Sequence, residues 1–145
     1  MRFPPRFAHL VTEPVLTARL APSYAKAHNV DLEEARICLT TALHGDLRDD
    51  LLEATWAAVR TRAPRFTEDT ALEKIAASLG KRPDRPGRVK EADARWSAFW
   101  ILVDLRAGTA SDTARSVLES EAGQAKVREG LADAGRFLAD ELARS

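Results

Sequence analysis

The sequence predicts an all-α fold: a single compact bundle of six to seven helices, entered by an extended N-terminal arm. Three observations carry this reading. Twenty-six Ala and 17 Leu stand against 8 Val and 3 Ile, a vocabulary that favours helices over strands. Helix caps and helix breakers recur along the chain at helix-length spacing. Apart from a weak candidate over Val15–Leu20, no stretch alternates apolar and polar residues over strand length. The 145 residues suit one domain with a core of its own, and 45% apolar against 30% charged residues excludes disorder of the whole chain. The expected division is an arm over 1–12 and one helical domain over 13–145.

The arm holds Phe3, Pro4, Pro5 and Phe7 without a helical period, so it reads as extended, with two rings that need a surface to cover. Thr12-Glu13-Pro14 starts a first short helix to about Leu20, where Pro22 breaks or restarts it. A short piece over Ser23–Asn29 follows, ending where Asn29 can adopt the left-handed conformation. Asp31 caps the next helix with Glu34 in capping-box position. Its inner face is Ala35, Cys38, Leu39 and Ala42, and Gly45 stops it. Asp46 opens a helix that must end before Pro64. Thr67 caps another, with Leu72, Ile75, Ala76 and Leu79 at helical spacing before Gly80.

Residues 80–88 form the longest clear loop. A helix over about 89–107 follows and stops at Gly108. One face carries Ala92, Trp96, Phe99, Trp100 and Val103, and the opposite face Ala94, Ala98, Ile101 and Leu105. Apolar residues on two opposed faces place this helix at the centre of the bundle. The aromatic cluster reads as core packing rather than a cofactor box. Asp104 and Arg95, on its narrow polar edges, are candidates for an internal ion pair. Ser111-Asp112 starts a short helix, and Ser120 caps the last one.

Composition narrows function by exclusion. Twenty-two basic residues balance 22 acidic ones, so any nucleic-acid contact must be local. A lone Cys38 excludes an internal disulfide and reads as an inert core thiol. The longest apolar run, Trp96 to Val103, is far below the roughly twenty residues that span a bilayer. The N-terminus has no signal-peptide core. Seventeen Arg against 5 Lys, with so much Ala, suggest a bacterial chain, and a cytoplasmic setting is expected. No HExxH, P-loop, GxGxxG or GxSxG is present, and His9, His28 and His44 are scattered. No cofactor or metal is expected. Asp46, Asp49, Asp50 and Glu53 share a face near His44, but Leu51, Trp56 and Val59 lie opposite, so the acids read as solvated.

Two features point to binding. Leu20 to Ala42 has the spacing of a helix-turn-helix, with Ala25 at the close-packing position and Asn29 in the turn. Asp31, Glu33 and Glu34 lead its second helix and would repel a phosphate wall. The second feature is the segment 81–90, where Lys81, Arg82, Arg85, Arg88 and Lys90 oppose only Asp84. The expected function is therefore a non-enzymatic helical adaptor or regulatory subunit with a protein partner, contacted through this segment and through Phe3 and Phe7. The alternatives are a nucleic-acid-associated regulator using 20–42 or 81–90, and an enzyme whose site is assembled from dispersed residues. Oligomeric state is left open by the sequence.

Overall fold

A computed structural model describes residues 2–62, 65–79 and 97–143. Among them are eight helices and no strand: α1 (Pro5–Leu10), α2 (Glu13–His28), α3 (Leu32–Ala42), α4 (Asp46–Arg62), α5 (Glu68–Leu79), α6 (Ser97–Ala107), α7 (Asp112–Val117) and α8 (Glu121–Ala143). The all-α fold is as the composition predicts, and the eight helices of the described residues are close to the six to seven expected.

Most helix ends fall where local chemistry places them. The Asp31 carboxylate accepts from the Glu34 N–H, and the Ser111 and Ser120 hydroxyls accept from the Ala114 and Gly123 N–H groups. Each satisfies one backbone donor that a helix start leaves orphaned. Gly108 ends α6 with φ 79°, a left-handed turn that a Cβ would strain.

Two differences from the sequence reading have the same cause. The arm, expected extended over 1–12, coils into α1 from Pro5 to Leu10, with Pro5 in the first turn where its missing N–H costs nothing. Phe7 is thereby fully buried, 5.0 Å from the Trp56 ring and 6.4 Å from Phe3. Helix α2, expected to break at Pro22, runs through it to His28. An interior proline costs about 3 kcal/mol. Leu16, Leu20, Ala21 and Tyr24 are buried on both sides of it, and large apolar side chains contribute about 1.5–3 kcal/mol each. In both segments burial overrides the local preference.

Helix α8 is the spine. It packs against α4 on one side and α6 on the other, and also meets α5 and α7. Beyond α6 lies α3, and α2 packs on α3 as a hairpin. Glycine makes the seams of α8 possible. A Cβ at Gly135 would lie 2.6 Å from the Ala54 carbonyl carbon of α4, and one at Gly130 would lie 2.7 Å from the Phe99 nitrogen of α6. Only a hydrogen fits at either place. Phe99, Trp100 and Val103 of α6 are buried, whereas Ile101 and Leu105 on the opposite side are half-buried. Trp96 lies outside the described residues.

Candidate functional site

The seven expected partner contacts divide. Phe7 is spent on this chain's own core, and Phe3 is half-buried against it. The cations Lys81, Arg82, Arg85, Arg88 and Lys90 lie outside the described residues, as does Arg95. The acidic face of α4 receives the N-terminal segment: Arg2 donates to Asp50 and Glu53, while Arg6 pairs with Asp69 of α5. His44 is strongly exposed and stands 3.7 Å from Glu13.

The unit over 20–42 forms a hairpin with the turn the sequence indicates. Asn29 has φ 53°, and the Val30 N–H donates to the Ala25 carbonyl at 3.0 Å. Ala35, Leu39 and Ala42 face inward as expected. Cys38 differs, being half-buried at the side of the hairpin rather than sealed in the core. Opposite the buried face Ile37 is 62% exposed, while Leu32, at the first position of α3 and on a different side of the helix, is 46% exposed. Glu33, Glu34 and Arg36 are exposed around them. The outward face of α3 is thus apolar at its middle and acidic at its leading end.

A second constellation joins α2 to α6 beside the turn of this hairpin. The Tyr24 hydroxyl of α2 donates to one carboxylate oxygen of Asp104 on α6 at 2.7 Å. His28 Nε2 meets the other oxygen at 2.8 Å, and His28 Nδ1 meets the Tyr24 carbonyl at 3.1 Å. The imidazole stacks on the Tyr24 ring at 3.8 Å and stands edge-on to Trp100. Burial, then the Asp104 carboxylate, then Cys38 beside it push the Tyr24 hydroxyl well up, so it stays protonated and donates. The His28 and Asp104 side chains keep only 25% and 20% of their exposure.

Chemically this cluster resembles the His–carboxylate half of a catalytic triad, in which one imidazole nitrogen faces the acid and the other faces the nucleophile. Here the second nitrogen is engaged by a backbone carbonyl, so the ring has no face directed at a substrate proton. Asp104 was legible as an ion-pair candidate. His28 was not, because its partner is 76 residues away, although its i, i+4 spacing to Tyr24 hinted at a shared face.

Elsewhere, a groove of about 230 Å³ between α4 and α8 is walled by Ala54, Ala57, Ala58 and Ala132. Its two arginines are already committed, Arg62 to Asp140 and Arg136 to Asp133. No group of three or more metal-ligating side chains occurs among the described residues, and none of their helices is long and apolar enough to cross a membrane. No protein-family model, curated protein or solved structure matches the chain. What the fold and its surface define is a class only: an all-α domain presenting a helical hairpin.

Proposed function

We propose that this chain is a non-enzymatic helical adaptor or regulatory subunit that binds another protein through the outward face of α3. The observation that supports this is Ile37, 62% exposed on a helix whose leading end is acidic. A single exposed apolar side chain is ordinary on a surface. At the middle of the exposed face of α3 it supplies the apolar centre that a protein contact needs, with Glu33, Glu34 and Arg36 as a polar rim. The same acids oppose a phosphate backbone, and every phosphate contact needs a donor.

The nucleic-acid reading keeps one observation in its favour, the helix-turn-helix connection at Asn29, together with the cations of 81–90. One comparison separates the two readings. A partner captured by the wild-type chain is purified and its binding reconstituted from pure components, with Ile37→Asp alongside. Binding should weaken at least tenfold in that variant while its helical circular dichroism is unchanged. Duplex DNA is titrated in parallel at two salt concentrations. Phosphate contacts by all five cations give a log–log salt slope of only about −4 to −5, near −0.9 per phosphate neutralised. Duplex binding that survives ~200 mM salt and disappears in Arg85→Glu/Arg88→Glu would replace the protein partner with nucleic acid.

A further inference from the structure

We propose that His28 and Asp104 share a proton that latches the α2–α3 hairpin onto α6, so that rising pH releases the hairpin. The inference stands on hydrogen-bond geometry and does not depend on what binds α3. His28 Nδ1 lies 3.1 Å from the Tyr24 carbonyl, a group that only accepts, so Nδ1 must carry a hydrogen. With that hydrogen in place, a neutral ring would turn the bare lone pair of Nε2 toward an ionised carboxylate oxygen 2.8 Å away. Two acceptors do not approach that closely without a proton between them. The pair therefore holds one proton more than a neutral histidine beside an ionised aspartate. Written as charges, it is an imidazolium bonded to a carboxylate.

The surroundings reinforce this assignment. Tyr24 donates its hydroxyl to the other Asp104 oxygen, which keeps that carboxylate an acceptor on both sides. Among the described residues, the titratable groups facing the pair are Tyr24 from α2, Cys38 from α3 and Asp104 itself from α6. Of these three, the Asp104 carboxylate is the group that favours the protonated ring. The bond spans two helices: α2 ends at His28, immediately before the turn into α3, while Asp104 sits near the end of α6. Losing the proton breaks the joint at the point where the hairpin turns.

The direction with pH follows from proton counting. The latched state binds one proton that the released hairpin gives up near the ordinary histidine midpoint of about 6.5. Opening should therefore become about tenfold more favourable per pH unit above that value, until the latched pair itself titrates.

Two measurements on the full chain test the proposal. Ring ¹⁵N shifts of His28 should show both nitrogens protonated at pH 6, and titration at a higher pH than the exposed His9. Amide exchange at Leu39 of α3, corrected for its intrinsic pH dependence, should accelerate about tenfold per unit above pH 6.5, while Leu138 of α8 stays protected. Asp104→Asn should remove that extra slope. If the variant does not fold, the wild-type ring titration decides alone. A neutral His28 tautomer at pH 6, a midpoint at or below that of His9, or an equal response at Leu138 would overturn the latch.

Discussion

The α4–α8–α6 seam and the α2–α6 joint hold the same bundle together by opposite means. At the seam, cohesion comes from what is missing: Gly135 and Gly130 let neighbouring backbones approach where a methyl group would collide. The contacts of Gly135 with the Ala54 backbone and of Gly130 with the Phe99 backbone involve no titratable group, and close packing of this kind does not change with proton activity. At the joint, cohesion comes from Tyr24, His28 and Asp104, three polar groups whose bonds need a particular proton to be present. The contrast teaches that one half of this molecule has a fixed geometry, while the other is conditional on its solvent. The conditional half carries the exposed face of α3.

Four substitutions probe that contrast, from strongest to weakest. Phe99→Ala, on the buried face of α6 against α8, should cost about 3–5 kcal/mol in denaturant unfolding, independently of pH. A near-wild-type midpoint would show the seam to be less tightly packed than described. Gly135→Ala comes next. Alanine is the better helix former by up to ~1 kcal/mol, yet its methyl would strike the Ala54 backbone, and overpacking costs about 1–3 kcal/mol. A net loss of about 1–2 kcal/mol is expected, and a stabilised variant would contradict the close approach. Asp104→Ala should cost about 1–2 kcal/mol at pH 6, measured by thermal unfolding, because it removes the acceptor that the Tyr24 hydroxyl and His28 Nε2 share. The cost should shrink as pH rises above about 6.5, the ordinary histidine midpoint, because holding the shared proton then costs the wild-type fold progressively more. Removing Arg2, whose pairs with Asp50 and Glu53 lie in solvent, should leave the midpoint unchanged.

How much of this was legible in the sequence follows the same division. Helix ends were, because Asp31, Ser111, Ser120 and Gly108 act on backbone groups within a few residues of themselves. The inward face of α3 was, because periodicity is local. Pro22 and the arm were misjudged because tertiary burial outweighed a local preference, and no window around Pro5 contains Trp56. The joint was half legible: Asp104 stood out on an apolar helix, while its partner was one of three histidines with no motif between them. Whether an imidazole lies beside a given carboxylate is decided by the packing of α2 and α3 on α6, which no short motif records.

The position of α8 in chain order has a consequence for synthesis. Every described helix that packs on this spine is made before it, and α4 is complete 59 residues before α8 begins. At about 5–20 residues per second, α4 waits roughly 3–12 s for its largest partner. Throughout that interval Leu51, Leu52 and Val59, all buried in the finished bundle, have no spine to cover them. The emerging chain is therefore most exposed to aggregation and to chaperone capture while the stretch between α4 and α8 is being made, and a ribosome stalled before residue 121 would hold a chain that cannot close this core.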